Sequence, residues 1–154
     1  MAFTPEDTLD TASTADLPGE RRRLLLADNH EEFRDAAQRL LADHFDIVAL
    51  AQDGLRLVEA AAEVRPDAVV TDFRLPGLNG VQAARRLISN GLCANVVLLT
   101  VYNDSALVFQ AFESGIRGYV LKTDAGAELI PALLSVMRGA TYLSMSVRRP
   151  RRTS

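Results

Sequence analysis

Asp67 to Gly80 read DAVVTDFRLPGLNG. A short apolar run, Ala68-Val69-Val70, leads to a carboxylate, Asp72, and a loop with Pro76, Gly77 and Gly80 follows at once. A run this short, bounded by turn residues, reads as a strand buried on both faces, because helices need about ten residues or more. A carboxylate at the end of such a strand either opens a turn or is held up to a ligand. The pattern on either side decides between the two.

Working outward, the chain alternates. Upstream lie RLLLA (23–27), a short apolar run, and EEFRDAAQRLLADH (31–44), with Phe33, Ala36, Ala37, Leu40 and Leu41 at helical spacing. DIVALA from Asp46 is a second strand, and GLRLVEAAAEV (54–64) a helix stopped before Pro66. Downstream, GVQAARRLISNG is a helix closed by Asn90-Gly91, and NVVLLT a strand. NDSALVFQAFESG is a helix with Asn103 or Asp104 as N-cap, and RGYVLK a strand. AGAELIPALLSVMRG is the last helix, with its start left open by Pro131. Five strands alternating with five helices predict one doubly wound, flavodoxin-like α/β domain. Its five-stranded parallel sheet would be covered by helices on both faces.

Composition narrows the class. The 154 residues are 48% hydrophobic and 24% charged with formal net charge -3, which excludes an overall basic field for nucleic acid. No apolar run approaches the roughly 18 residues of a membrane helix, and no basic region with an apolar stretch opens the chain. The single cysteine, Cys93, makes neither an internal disulfide nor a thiolate cluster, and a cytoplasmic location is expected. Residues 1–20 carry Glu6, Asp7, Asp10, Asp16 and Glu20 without Lys or Arg and are expected to be a disordered acidic tail. Residues 145–154, ending in RRPRRTS, are expected to be a disordered basic tail, leaving 21–144 as the domain. No glycine-rich phosphate loop follows any strand.

Ligands of an open parallel sheet bind beyond the carboxyl ends of its strands. Those ends carry Asp28-Asn29, Asp72, Thr100 and Lys122, while the second strand offers only Gln52-Asp53 and is placed at the margin. Singly, each residue has an ordinary reading as a turn opener, strand residue or solvated lysine. Together they form a coherent set. Oxygen ligands suit a hard cation such as Mg²⁺, a lysine and a hydroxyl hold phosphate oxygens, and a carboxylate beside them can accept a phosphoryl group.

Four short motifs in order also carry a resemblance: LLLADNH, VVTDFRLPGLNG, VVLLT and GIRGYVLK, with GATYLS following. From about Arg23 to Ser144 the chain resembles the receiver domain of two-component response regulators, in the branch usually fused to LuxR-type helix-turn-helix domains. The resemblance implies strand order 2-1-3-4-5 and phosphorylation of Asp72 by a histidine kinase. It implies Mg²⁺ held by Asp28, Asn29, Asp72 and the backbone carbonyl of Arg74, and phosphoryl contacts from Thr100 and Lys122. It also implies a switch in which Tyr119 moves inward when Thr100 moves.

Asn29 stands where the family usually has a second acid, so a weaker cation site is expected. No DNA-binding domain follows Ser144, so specific nucleic-acid binding by this chain is not expected. The expected output is a homodimer or downstream protein on the surface of the fourth helix, fifth strand and last helix. The fourth helix carries Leu107, Val108, Phe109 and Phe112. Arg74 and Tyr102, two residues beyond the acceptor and the hydroxyl, are expected to screen the phosphoryl group from water. His30 reads as a helix-start residue and His44 as helix surface. Two rivals remain. One is a receiver-like interaction module independent of phosphate, which Asn29 favours. The other is an aspartate-nucleophile phosphatase, which Arg74 opposes because an arginine cannot serve as general acid two residues after the nucleophile.

Overall fold

The computed structural model describes residues 21–148, so the expected acidic tail lies outside the described residues. The elements alternate as the periodicity predicts. They are β1 (Arg23–Ala27), α1 (Glu31–Leu41), β2 (Asp46–Ala51), α2 (Gly54–Val64), β3 (Ala68–Thr71), α3 (Gly80–Ser89) and β4 (Val96–Thr100). Then come α4 (Ser105–Glu113), β5 (Gly118–Leu121), a 3₁₀ turn (Lys122–Asp124), α5 (Ala125–Met137), β6 (Tyr142–Leu143) and α6 (Met145–Arg148). None of the helices is long and apolar enough to cross a membrane among the described residues.

The sheet is parallel with order β2-β1-β3-β4-β5-β6. The expected five strands keep their order, and a sixth is added at the edge. Two residues cannot show a period, so β6 is visible only through pairing: Tyr142 N donates to Arg117 O at 2.8 Å and Ser144 N to Tyr119 O at 2.9 Å. Met145–Arg148, expected as the start of a basic tail, instead form one turn of helix, with Val147 N on Ser144 O at 2.9 Å. Residues 149–154 lie outside the described residues.

Successive strand side chains point to opposite faces, which yields two apolar layers. Leu25, Val69, Leu98 and Tyr119 meet Leu57, Ala84, Leu87 and Ala111 of α2, α3 and α4. Leu24, Leu26, Val70, Leu99 and Val120 meet Ala37, Leu41, Leu129 and Leu133 of α1 and α5. Helix ends follow local chemistry. Asp53 caps α2 by accepting from Arg56 N, Asn79 and Gln82 form a capping box on α3, and Asp104 caps α4 by accepting from Ala106 N. Helix α5 continues through Pro131. Pro131 and Ala127 are both exposed, so the carbonyl that proline leaves without an amide partner faces water.

Two glycines fasten the loop after β3. A Cβ on Gly80 would fall 2.1 Å from Asp72 O, and one on Gly54 would fall 2.1 Å from Leu78 O. Backbone therefore packs on backbone at both points, which locks the start of α3 against the strand that ends in Asp72.

Candidate functional site

Asp28 and Asp72 continue the ladders of the strands they leave. Asp28 N donates to Ala51 O at 3.1 Å and Asp72 N to Ala27 O at 2.9 Å, so parallel pairing sets the two side chains next to one another. Both are buried, 2% and 5% exposed, which is rare for carboxylates without a partner. The partner is Lys122, which leaves β5 on the same sheet edge. Its Nζ lies 2.8 Å from Asp28 Oδ2 and 3.1 Å from Asp72 Oδ2, and 4.3 Å from the centre of the Phe33 ring.

Burial pushes the Asp72 carboxyl above the usual carboxylate range, against the lowering pull of the Lys122 charge. The nearby Asp28 charge adds to the rise, while hydrogen bonds from Lys122 and from the Arg74 amide oppose it. An acid so placed gains when its charge is neutralised by a cation or consumed in a bond.

The rest of the edge is organised by Tyr102. Thr100 is fully buried and its Oγ1 accepts from Tyr102 N at 3.3 Å, so its hydrogen bond goes to the loop after β4 and not to Asp72. The Tyr119 hydroxyl donates to Tyr102 O at 2.5 Å, and its ring is fully buried. Burial pushes the Tyr119 phenol well upward, with Asp104 adding to the rise. Arg74 is exposed and donates to the Tyr102 hydroxyl at 2.7 Å, and the Tyr102 ring meets Phe73 edge-on. The backbone of one residue thus bonds both the hydroxyl and the aromatic singled out in the sequence. Residue spacing could not reveal that pivot, since it depends on how the loop after β4 folds back.

Asn29 is exposed at the rim of the cleft that contains Asp72 and Lys122. His30 stands at the start of α1, as its position suggests, without a side-chain capping bond. Its amide donates to Asp28 Oδ1 at 2.8 Å and its Nδ1 lies 3.4 Å from the same oxygen. Donor atoms of Asp28, His30 and Asp72 all lie within 4.8 Å of one another. Arg34 also escaped the sequence reading: buried in the first turns of α1, it donates to the Asp28 carbonyl at 2.6 Å. The donor chemistry fits a divalent cation. Two buried carboxylates already share one cationic group, and a third donor stands beside them.

The chain is similar to known proteins along most of its length. The DegU transcriptional regulatory protein of Brevibacillus brevis is 32% identical over 127 residues, 81% of this chain and 54% of that protein. The chain thus spans just over half the length of such curated relatives. A two-component response regulator of the LuxR family from Aurantimonas sp. SI85-9A1 matches with TM-score 0.78 at 32% identity, over 82% of this chain and 92% of that one. The signal receiver domain of the response regulator NarL from Mycobacterium tuberculosis matches with TM-score 0.73 at 30% identity, over 77% of this chain and 97% of that one. The response regulator receiver domain model matches residues 24–134, so the chain belongs to that family, a signalling domain of two-component systems whose function is phosphorylation-dependent switching.

Proposed function

We propose that Asp72 is the phosphoacceptor and that the chain is switched when a histidine kinase phosphorylates it. The observation that carries this reading is the Asp28–Lys122–Asp72 cluster: a buried carboxylate with a raised pKa, an ammonium within 3.1 Å, and an open cleft in front. In the step, an Asp72 oxygen attacks phosphorus and the P–N bond of a phosphohistidine breaks. Its electron pair returns to the imidazole, which takes a proton. Asp72 emerges as an acyl phosphate.

The proposed cation ligands are Asp28, Asn29, Asp72 and the Arg74 carbonyl, with Mg²⁺ as the ion. When bound, it neutralises charge on the phosphoryl oxygens. Lys122 turns from Asp72 to the new phosphoryl oxygens, since its ammonium already bridges the two carboxylates. Thr100 then turns to donate its hydroxyl to a phosphoryl oxygen and ceases to accept from the Tyr102 amide. That loosens the Tyr102 backbone, whose carbonyl accepts from the Tyr119 hydroxyl, so the two side chains are coupled through Tyr102. The phosphatase alternative is opposed by Arg74, which offers no acid and is bonded to Tyr102.

The proposed output surface is α4, β5 and α5, facing a second copy or a downstream protein in the cytoplasm. The apolar groups of α4 divide as such a face requires. Leu107 is buried, Val108 and Phe112 are half-buried, and Phe109 is 67% exposed. Beside Phe109 a groove is lined by Phe73, Tyr102 and Leu107, so the exposed ring adjoins the pivot residue.

Incubation with acetyl phosphate and Mg²⁺, read by intact-protein mass spectrometry, tests the assignment. One base-labile phosphoryl adduct is expected on the parent and none on Asp72→Ala. Equal labelling of the variant overturns it.

A further inference from the structure

We propose that Phe33 is a positioning residue for phosphoryl transfer: the face of its ring holds the Lys122 ammonium in place while that ammonium passes from Asp72 to the phosphoryl oxygens. The inference rests on the reading of Asp72 as the phosphoacceptor and leaves the proposed cation ligands as they are.

The place of the ring follows from the pattern of α1. Phe33, Ala37 and Leu41 stand four residues apart and share one stripe of the helix. Ala37 and Leu41 are buried, whereas Phe33, nearer the carboxyl edge of the sheet, is only half-buried. There the stripe reaches the end of the core, and the ring has a charge against its face. Lys122 Nζ lies 4.3 Å from the ring centre. An aromatic face attracts a cation within about 6 Å, and more strongly where water is excluded. The Lys122 side chain is 11% exposed, so its ammonium is largely cut off from solvent.

The ammonium has three hydrogens to place. Asp28 Oδ2 at 2.8 Å and Asp72 Oδ2 at 3.1 Å take two of them. The Asp72 contact weakens as the reaction proceeds, because that carboxylate gives up its charge when it becomes an acyl phosphate. The attraction of the ring depends on the distance of the charge from its face and not on the direction of any one N–H. It therefore persists while the ammonium swings from the carboxylate to a phosphoryl oxygen. The ring also keeps water from one side of the ammonium, which leaves more of the charge to act on the phosphoryl group. Leucine would fill the space without that attraction. The ring supplies no ligand to a cation, so the rate should respond to it and the cation affinity should not.

The test uses the whole chain. Replacing Phe33 by mono-, di- and trifluorinated phenylalanine keeps the shape of the ring and strips negative charge from its face in steps. Single-turnover labelling of Asp72 by acetyl phosphate at saturating Mg²⁺ should slow stepwise, by about fivefold at the trifluorinated ring and about tenfold in Phe33→Leu. The Mg²⁺ concentration that gives half the maximal rate should move less than about twofold. In a Lys122→Met background the fluorinated series should be flat, since the ring acts through the ammonium. In the chain without metal, the protons on the Lys122 carbon next to the ammonium should be shifted upfield by the ring in the NMR spectrum, and Phe33→Leu should abolish that shift. A fluorinated series equal to the parent, a slope that persists without Lys122, or a parent lacking the ring shift overturns the proposal and leaves the assignment of Asp72 standing. A parent that is not labelled at Asp72 overturns that assignment, and the inference with it.

Discussion

Among the described residues, two pairs of carboxylates differ in what stands between them. Asp28 and Asp72 share the Lys122 ammonium, lie buried, and open onto a cleft. Asp124 and Glu128 share the Ser144 hydroxyl, at 3.0 and 2.9 Å, beneath the segment that carries β6 and α6. Ser144 Oγ also accepts from Leu121 N at 3.1 Å, and Glu128 accepts from Met145 N. The second cluster is a clasp that pins the C-terminal segment to β5 and α5. The first holds a cation between two acids, and one of those acids is pushed toward protonation by burial. The first cluster has a positive charge between its acids and an open cleft in front, whereas the second ties its acids to a hydroxyl and serves as joinery. The clusters adjoin, since Lys122 and Asp124 belong to one 3₁₀ turn.

The comparison breaks most visibly at Lys122. Lys122→Met removes the ammonium between Asp28 and Asp72 and, on the proposed role of that lysine, should slow Asp72 phosphorylation by about a hundredfold. Single-turnover labelling with acetyl phosphate at saturating divalent ion measures it. A rate within twofold of the parent would remove the distinction between the two clusters.

Ser144→Ala strikes the other side. It strands the buried Leu121 amide and separates the two acids from their shared donor, so unfolding in urea should show a loss of about 1–3 kcal/mol. The labelling rate of Asp72 should stay within about twofold, because Ser144 is bonded to Leu121, Asp124 and Glu128 and to none of Asp28, Asp72 and Lys122. A fall in labelling that matches the fall in stability would mean that the two clusters act as one.

A smaller effect is expected at the cleft mouth, where Arg74 and Tyr102 bridge. The double substitution Arg74→Ala, Tyr102→Ala should shorten the lifetime of phosphorylated Asp72 roughly threefold or more by admitting water. Decay followed by mass spectrometry settles it, and an unchanged or longer lifetime would end the screening idea.

The subtlest test concerns pH. Burial raises the Asp72 pKa above its ordinary 3.8, so the folded chain holds that proton more tightly than the unfolded chain. The contribution of this group is fully present below 3.8 and is lost as pH rises through the folded value. Without divalent ions, Asp72→Asn should therefore raise Tm at pH 7, and the gain should shrink as pH falls toward 3.8. A gain that does not change with pH would point to packing instead of charge.

Much of this was written in local sequence. Short apolar runs between helical periods determined the alternation of strands and helices. The parallel arrangement followed, because such runs must be buried on both sides. Aspartates and a lysine at strand ends then had to converge, since every strand of a parallel sheet ends on the same edge. Asp28, Asp72 and Lys122 were legible for that reason. The tertiary structure alone decided what depends on chain segments far apart in sequence. The β6 strand exists through pairing with β5 and carries no period of its own. Tyr102 became the pivot of Thr100 and Tyr119 through the path of a loop. Ser144 found Asp124 and Glu128, and the His30 ring came to lie against Asp28. Periodicity reports which face of an element is buried. The partner a polar group finds there is set by distances in space, which no run of neighbouring residues encodes.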